Sequence, residues 1–427
     1  MPQYFYTLWS SFDFERGFFI LKHVTAPSAA PLQSIPVGLS AVLIAVYLLL
    51  YPPLIFIDLI DPDWMVLRIG IEFFSVLSLL ALSGWSVQRR TFFLLIGVMS
   101  AYTIHAAFNI ADLRNSLSSC LKFVYALLLY DALRHFDGLR RALVKIWLFA
   151  LSIASFSAII LWTKILSGAT YVEVHRSMTS LGIYQYFSSG PFGFFLERNL
   201  ASFSSLRLPR FTWYVTEPGQ LSVFFLFSAL VCTQMLKKNW LCYPALILAL
   251  IGGIATMSVT FVALYAAYIF ATLTMYFMKK FDRTLFGIYF LLTSGSAALA
   301  LLFLKRYDIS SGLDRWNRLN GALQIIPTMS VSQLLFGSGT GHVLSITGRG
   351  SSNGFIDLFI EQGLFTSVIV LLILHKFLQN SGLVGLFAVL SICIFPNLYW
   401  PTFWTFAACY SVSVYQQRER LSLTNHA

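Results

Sequence analysis

ALVKIWLFALSIASFSAIILWTKIL, residues 142–166, is an almost unbroken apolar run in which only Lys145 and Lys164 carry a charge. A run of about 18 or more apolar residues is long enough to cross the hydrocarbon core of a bilayer as an α-helix. Similar runs follow one another along nearly the whole chain. The sequence therefore predicts an all-α, polytopic integral membrane protein.

The composition predicts the same class. Of the 427 residues, 57% are hydrophobic, 16% are aromatic and only 11% are charged, which is too little charge to cover the surface of a soluble domain of this size. The five cysteines lie in or beside apolar runs and form no C-x-x-C pair, so we interpret them as packing residues. No removable signal peptide is evident at the N-terminus.

Twelve membrane spans are predicted, and together they form a single transmembrane domain over residues 1–427. The last two spans are short and share a break at Pro396 and Asn397, so they could be one re-entrant pair. The predicted spans are 37–57, 65–83, 91–109, 116–133, 142–166, 218–236, 239–256, 259–278, 284–304, 363–379, 382–396 and 401–416.

Basic residues concentrate in alternate connections between these spans. Because short cytoplasmic connections are enriched in Lys and Arg, the alternation predicts that both chain ends face the cytoplasm. The net charge of +11 would suggest a nucleic-acid partner in a soluble protein, but topology explains most of it here, and no such partner is predicted. The basic residues on the predicted cytoplasmic side are Arg89, Arg90, Arg134, Arg140, Arg141, Lys145, Lys237, Lys238, Lys279, Lys280, Arg283, Lys376, Arg418 and Arg420.

Two connections are much longer than the others, at about 167–217 and about 305–362, and both fall on the predicted outer side. Long loops in a compact protein are uncommon unless they have a function. Both loops are basic, and long loops escape the charge rule that governs short ones. Their arginines are therefore candidates for binding an anion. We expect both loops to carry short amphipathic helices.

The first long loop ends in RFTWYVTEPGQ, residues 210–220, where basic, aromatic and acidic side chains meet the start of a span. Thr216 can cap that helix, with Glu217 in its first turn. Alternatively, Arg210 and Glu217 face a polar cavity at the membrane surface and act on a substrate. The stretch by itself leaves both interpretations open.

The second long loop contains SGLDRWNRLNGALQIIP, residues 311–327, whose apolar residues have helical spacing. This pattern predicts an amphipathic helix on the outer surface. Arg315 and Arg318 project side by side, and two adjacent guanidinium groups suit a phosphate or a pyrophosphate. Arginines at the edge of an interfacial helix can instead bind lipid phosphates. The apolar residues are Leu313, Trp316, Leu319, Leu323 and Ile326.

The same loop continues into LLFGSGTGHVLSITGRGSSNGFIDLFIEQGLF, residues 334–365. Its three alternating glycines favour a turn that another group can approach closely, but the motif lacks the context of a nucleotide-binding loop. The following helix should carry Asp357 and Glu361 one turn apart on one face. A solvated helix start explains these acids as well as a functional site does. His342 is a weaker candidate base, because a lone histidine more often serves packing or hydrogen bonding.

The order of these motifs resembles the superfamily of Wzy-type polysaccharide polymerases and O-antigen ligases. The shared order is an arginine-bearing loop with an E-P helix start, further spans, R-x-x-R on a loop helix, G-x-G-x-G, and S-N-G-F-x-D-L-x-x-x-x-G. The resemblance covers mainly residues 207–365, and the other spans match only in number and hydrophobicity.

The resemblance implies a bacterial inner-membrane glycosyltransferase with its long loops in the periplasm. Such an enzyme transfers a glycan from undecaprenyl pyrophosphate to a hydroxyl group, without a metal or nucleotide cofactor. In polymerases the acceptor belongs to another lipid-linked repeat unit, and in ligases it belongs to lipid A-core. Ligases carry a histidine before the loop asparagine, whereas this chain has Ser352 before Asn353. That departure favours a polymerase and leaves the general base open.

The expected chemistry assigns roles to particular residues. Preorganised arginines would neutralise the leaving pyrophosphate, and a base would orient the attacking hydroxyl. Glu217 is the first choice of base, because a carboxylate near a low-dielectric boundary holds its proton more tightly, and Asp357 and His342 follow. Trp213 and Tyr214 would stack on sugar rings or anchor the membrane interface. The predicted substrate-binding residues are Arg207, Arg210, Arg315, Arg318, Trp213, Tyr214 and Asn353.

We further predict that Arg210, Arg315 and Arg318 converge in one outward-facing cavity with Glu217 on its wall. The expected partners are undecaprenyl-pyrophosphate-linked oligosaccharides, the lipid bilayer and a polysaccharide chain-length regulator. A ligase is the nearest alternative function. A multi-pass transporter or flippase for lipid-linked glycans is the distant one, although the sequence shows none of the internal repeats usual in transporters.

Overall fold

All residues of the computed structural model described below belong to one compact unit, residues 36–427. For some residues, notably in the strands, only the backbone is described. The described residues are 38–48, 65–83, 87–168, 172–179, 182–188, 194–203, 206–213, 218–235, 242–256, 258, 261, 264–271, 310–347, 350–351, 353–378, 382–394 and 397–425.

These residues are mostly helical, as the apolar runs predict. Residues 264–271 are also helical, and short 3-10 helices cover Ile110–Asp112, Ile326–Thr328 and Asn397–Tyr399. The helices are α1 Gly38–Leu48, α2 Met65–Leu82, α3 Arg89–Phe108, α4 Leu113–His135, α5 Asp137–Leu166, α6 Pro218–Met235, α7 Cys242–Ala255, α8 Ser310–Ile325, α9 Val331–Phe336, α10 His342–Thr347, α11 Gly354–Leu378, α12 Gly382–Ile394 and α13 Pro401–Asn425.

Within the described part of the chain, five helices are long and apolar enough to cross a membrane: α2, α3, α4 with its preceding 3-10 turn, α5 and α11. Four shorter apolar helices accompany them, namely α1, α7 and parts of α6 and α12. The structure thus fits a mostly helical protein embedded in a membrane. The number of twelve spans stays a prediction, and the expected span 284–304 lies outside the described residues.

Helices α4 and α5 run antiparallel beside α13. The Tyr125 hydroxyl of α4 is 2.9 Å from the Thr405 hydroxyl oxygen, and the Trp147 ring of α5 lies 6.5 Å from the Phe406 ring. Only Phe136 separates the two helices, and Tyr125 and Trp147 are each eleven residues from it. Helix α5 therefore runs back along the bundle, and its last residue lies at the end of the bundle opposite to its first residue.

Polar contacts join the start of α3 to the end of α4. The Asp131 carboxylate accepts hydrogen bonds from the Gln88 backbone N–H (3.0 Å) and from the Thr91 hydroxyl (2.8 Å), while Arg134 donates to the Gln88 side chain. Lys376, near the end of α11, donates to Thr91 as well. We call this end of the bundle the basic end and the opposite end the loop end.

Several residues that sequence analysis placed on one membrane side thus lie together at the basic end, namely Arg89, Arg90, Arg134 and Lys376. Both predicted long loops leave from the loop end. The first follows the last residue of α5, and the second leads into the first residue of α11. This arrangement agrees with the predicted alternation of the connections, although it does not say which end faces the cytoplasm.

The first long loop differs from the expectation of short amphipathic helices. It contains four antiparallel strands in the order β1-β2-β3-β4, and the last strand packs on α5 and α6. Alternation of apolar and polar residues, as in Leu206–Trp213, is the period of a strand rather than a helix. Pro209 is tolerated because β4 lies at an edge of the sheet. The strands are Val172–Thr179, Gly182–Ser188, Phe194–Phe203 and Leu206–Trp213.

The predicted amphipathic helix of the second loop is present as α8. Ala322 and Ile325 pack with Val343 of α10 and Ile360 of α11 in a small apolar cluster. Trp316, one of the large apolar residues of the predicted pattern, is 56% exposed. The contact with α10 and α11 involves the small Ala322 side chain, which the pattern of large apolar residues did not include.

Candidate functional site

The glycine loop, residues 337–341, lies between α9 and α10 at the loop end of the bundle. Gly337, Gly339 and Gly341 have φ angles of 86°, 93° and 81°, a left-handed region that glycine occupies at little cost. This conformation turns successive backbone N–H groups towards neighbouring helices. Gly339 donates to the Glu361 carbonyl oxygen and Ser338 donates to that of Ile360, both at 3.0 Å.

Those two carbonyl groups end the first segment of α11, because the helix is broken at Gly363. Gly363 has φ 79° and ψ 175°, which no α-helical residue adopts. The last carbonyl groups of a helix lack partners within it, and here the glycine loop supplies them. The predicted span 363–379 begins at this break, so the sequence pattern located the second segment of α11 and not the first.

Gly337 and Gly363 make the break possible by letting two backbones touch. A Cβ atom added at Gly363 would lie 2.4 Å from the Gly337 nitrogen, and one added at Gly337 would lie 2.2 Å from the Glu361 carbonyl oxygen. Stacked rings flank the crossing, with Phe336 at 4.3 Å from Phe108 and 5.8 Å from Phe365. The glycine loop is thereby fixed against both α3 and α11.

Asp112, in the turn between α3 and α4, holds the glycine loop from the other side. Its carboxylate accepts hydrogen bonds from the Thr340 backbone N–H at 2.7 Å and from the Asn115 amide at 2.8 Å. The Asn109 amide also reaches the Gly337 carbonyl oxygen at 3.4 Å. A carboxylate that accepts a backbone N–H in a buried site makes a strong, charge-assisted hydrogen bond. Asp112 therefore sets the position of the loop.

His105 is fully buried beside Asp112, and its contacts determine where its protons lie. Its Nδ1 atom is 2.6 Å from the Phe336 carbonyl oxygen, which can only accept, so Nδ1 carries a hydrogen. Its Nε2 atom is 3.4 Å from Asp112 Oδ2. His105 thus links the Phe336 carbonyl group to the Asp112 carboxylate.

Helix α11 contributes three polar side chains to the same site. Glu361 accepts from the Gly341 N–H at 2.9 Å, and Gln362 donates to the Thr340 hydroxyl at 3.0 Å. Asp357, one turn before Glu361, accepts from the Ser351 N–H at 3.1 Å. We call Asp112, Asp357 and Glu361 the acidic cluster.

Neighbouring charges act on this cluster. Arg318 of α8 lies close enough to Asp357 for the two charges to interact. Tyr399, in the 3-10 helix before α13, lies beside the cluster as well. Burial raises the pKa of Tyr399 well above its usual value, and the nearby carboxyl groups act in the same direction. The three carboxyl groups of the acidic cluster therefore lie near a guanidinium group and a phenol in a largely buried space.

Four of the predicted site residues lie in this region. Asp357 is buried and Arg318 is half-buried beside it. Asn353 caps α11, because its side-chain oxygen accepts from the N–H groups of Phe355 and Ile356 at 3.0 and 3.2 Å. His342 is half-buried at the first position of α10, where its N–H donates to Gly339. Asn353 thus has a structural task whether or not it also binds a substrate.

The predicted residues of the first long loop lie on β4 or outside the described chain. Arg210 donates from Nε to the Thr256 carbonyl oxygen at the end of α7, 3.2 Å away. Trp213 is half-buried against the apolar core and has φ 51°, an unusual angle for a bulky residue. The backbone of Arg207 pairs with Ser202. Its side chain and that of Arg315, together with Tyr214 and Glu217, lie outside the described residues.

The predicted cavity that contains Arg210, Arg315, Arg318 and Glu217 therefore stays a prediction. Both loops leave from the loop end, yet the contacts described here place Arg210 beside α7 and Arg318 beside α11. Within the described part of the chain, no group of three or more His, Cys, Asp or Glu residues has the geometry to hold a metal ion.

Sequence reasoning did not assign His105 and Asp112 to the site, and noted Glu361 only as a neighbour of Asp357. Each lies next to an apolar run, where a solvated span end explains a polar residue equally well. A usable signal was present in H-x-x-x-N-x-x-D at residues 105–112, because polar residues of three kinds cluster at one span end. The tertiary structure alone shows that the glycine loop is their partner.

Comparisons with family models, with curated proteins and with solved structures found no match to this sequence.

Proposed function

We propose that this protein is a bacterial inner-membrane glycosyltransferase that polymerises undecaprenyl-pyrophosphate-linked oligosaccharide repeat units on the periplasmic side. The observation that carries the proposal is the meeting of the second-loop motifs at one end of the bundle. Arg318 lies close enough to Asp357 of the S-N-G-F-x-D segment for their charges to interact, and the glycine loop donates to Glu361, one turn further along the same helix. The basic end lies opposite, as a periplasmic site requires.

The chemistry needs two functions from this site. The acceptor hydroxyl oxygen forms a bond to the anomeric carbon, while the bond from that carbon to the pyrophosphate oxygen breaks and its electron pair leaves with the pyrophosphate. Arg318, with Arg315, Arg207 and Arg210 as further candidates, would neutralise that charge. The hydroxyl proton passes to a base. Asp357 and His342 are the candidate bases within the described residues, and Glu217 is the third candidate.

The sequence of the second long loop differs from that of ligases, and this difference favours one acceptor. Ser352 stands where ligases of the resembled superfamily have a histidine, so we propose a second lipid-linked repeat unit as the acceptor rather than lipid A-core. A chain-length regulator would be the protein partner. Trp213 packs against the core, which favours a role in anchoring β4, whereas Tyr214 stays a candidate for stacking on sugars.

A deletion and complementation series tests the proposal. The gene is deleted, and wild-type protein, Arg318→Ala, Arg318→Lys, Asp357→Asn or Glu217→Gln is restored at matched membrane levels. We expect wild type to produce a ladder of surface glycans and Arg318→Ala to produce mainly single repeat units. Losing one charge-stabilising donor typically slows a reaction on the order of 10²–10³-fold. Arg141→Ala, whose side chain is 73% exposed at the basic end, is the matched control.

The same gel separates the outcomes. A full ladder from every loop variant would overturn the proposed site. Long glycan that stays on its carrier in the deletion strain would identify a ligase. If the deletion strain shows no repeat unit at the cell surface, the protein moves lipid-linked units across the membrane instead.

One observation does favour that transport alternative. Helix α11 is broken at Gly363, and buried acids lie around the break, an arrangement that transporters use for substrate or ion binding. The break lies nine residues from the start of α11, three residues before its middle. We retain the polymerase as the leading proposal because the sequence shows none of the internal repeats usual in transporters.

A further inference from the structure

Helix α4 carries buried polar residues along one side for most of its first three turns. Asp112, which immediately precedes α4, and Ser116, Ser119 and Lys122 of α4 follow one another at intervals of four, three and three residues, which is the spacing of one helix side. Their exposed fractions are 8%, 1%, 4% and 6%. Helix α4 belongs to a segment long and apolar enough to span a membrane. Ionisable groups in such a position are costly, and they are usually functional.

The inner end of this polar row is an ion pair between α4 and α2. Lys122 Nζ lies 3.8 Å from Glu72 Oε1, and the Ser118 hydroxyl donates to the same oxygen at 3.0 Å. Glu72 is 1% exposed. Ten residues separate Asp112 from Lys122, so the row is about 15 Å long at the rise of an α-helix. It reaches from the loop end towards the middle of the bundle.

Helix α3 supplies the facing wall. Tyr102 lies one turn before His105, its ring is 6.4 Å from the His105 ring, and its hydroxyl lies beside Ser119. Tyr102 is itself buried. The row therefore begins at the His105–Asp112 pair, passes between α3 and α4, and ends at the Glu72–Lys122 pair.

Three buried polar atoms along or at the head of this row have no hydrogen-bond partner among the described residues. They are Ser116 Oγ, one turn below Asp112, the Tyr102 hydroxyl oxygen of α3, and Gln362 Oε1, beside Thr340. A buried polar atom without a partner costs about 1–3 kcal/mol, and proteins usually satisfy such atoms with internal water. Three such atoms close to a row of charged and hydroxyl groups meet the condition that a buried water needs several polar partners.

We propose that α2, α3 and α4 enclose a file of water molecules that leads from the His105–Asp112 pair at the loop end to the Glu72–Lys122 pair inside the bundle. The ligands of this site are water and the proton that a chain of waters can carry. The file gives the buried ion pair proton exchange with the loop end. This inference does not rest on the proposed glycan chemistry.

Radiolytic hydroxyl-radical labelling of the unmodified protein in its membrane tests the file. Radicals formed from internal water oxidise the aromatic side chains next to that water. Tyr102 faces the proposed file, whereas Tyr125 is equally buried and its hydroxyl is paired with Thr405. We expect Tyr102 to be oxidised on the order of tenfold faster than Tyr125, since only Tyr102 borders polar groups that retain water. Equal, slow oxidation of both rings would overturn the proposal.

Cysteine labelling tests it at a second position. In a chain whose five native cysteines are replaced by alanine, Ser116→Cys and Ser155→Cys place a thiol at two buried sites. Ser155 is the dry control, because it is fully buried and its hydroxyl donates to the Leu248 carbonyl oxygen. Thr340→Cys, at an exposed position of the glycine loop, is the positive control.

We expect a small cationic thiosulfonate reagent to modify Ser116→Cys on the order of tenfold or more faster than Ser155→Cys, because the reacting thiolate needs water around it. Equal, slow labelling of both buried positions would show that the space around α4 is dry and would overturn the proposal. Should the replaced chain fail to reach the membrane, the radiolytic comparison of Tyr102 and Tyr125 decides the question without any substitution.

Discussion

At the scale of single residues, Gly337 and Gly363 show how a small side chain can determine a site. Their positive φ angles and their backbone contact leave no room for a Cβ atom at either position. The contact breaks α11, and it also presents the glycine loop to Asp112 and Glu361. The same residue type has no such task at Gly70 in α2, where a Cβ atom would meet nothing within 4 Å.

This difference predicts opposite effects of the same substitution. We expect Gly363→Ala to lower the free energy of unfolding by about 1–3 kcal/mol from the strained φ angle, with a further loss from the clash with Gly337. Gly70→Ala should leave stability unchanged or raise it by about 0.5–1 kcal/mol, because alanine is the better helix residue. Thermal unfolding of the purified protein in detergent measures both. Similar midpoints for the two variants would contradict the described break.

Asp131 is the second residue on which a local structure depends. It joins the start of α3 to the end of α4 through Gln88 and Thr91. We expect Asp131→Ala to lower stability by about 1–3 kcal/mol, because the buried donors lose their acceptor. Asp131→Asn retains one acceptor oxygen and should cost less. Asp137→Ala, at an exposed position on the same end, is the control in the same thermal assay.

At the scale of elements, α2 and α4 are connected by charge inside the bundle. Removing one partner of a buried ion pair leaves an uncompensated charge, which is more costly than replacing both partners by apolar groups. The Glu72–Lys122 ion pair and the hydrogen bond from the Ser118 hydroxyl therefore couple α2 to α4 energetically.

A double-substitution cycle measures the coupling free energy between Glu72 and Lys122. Glu72→Gln and Lys122→Met should each lower stability, by about 3–5 kcal/mol where a buried charge is left alone. The double variant should recover a large part of the loss, so the effects will not add. Purely additive losses in thermal unfolding would show that the pair is not coupled. Ser155→Ala, a buried serine on α5, controls for the loss of a polar group elsewhere.

At the scale of the whole molecule, the bundle has two chemically distinct ends. Lys and Arg gather at one end, where α4 ends and α5 begins, and the acidic cluster and both long loops gather at the other. From the positive-inside rule we predict that the basic end faces the cytoplasm. The proposed reaction would then take place on the outer side, where lipid-linked repeat units would be polymerised.

Side-specific labelling tests the polarity. We expect a cysteine at Gly138, in the exposed first turn of α5, to react only after the inner membrane is made permeable. A cysteine at Thr340 should react in intact cells after the outer membrane is opened. The reverse pattern would invert the assignment and place the acidic cluster in the cytoplasm.

The sequence by itself determined the class of this protein and the position of several elements. Long apolar runs allow few folds other than helices in a bilayer, because backbone hydrogen bonds must be satisfied within each segment. The helix that carries Asp357 and Glu361 and the amphipathic helix with Arg318 were predicted for similar local reasons.

Only the tertiary structure decided which residues meet. The strands of the first long loop follow a period of two in the sequence, but their pairing depends on contacts between segments far apart in the chain. His105, Asp112 and Glu361 join the site because the glycine loop needs buried partners for its N–H groups. The Glu72–Lys122 pair joins two helices some fifty residues apart in the chain. Such contacts depend on how helices pack, which local sequence patterns do not specify.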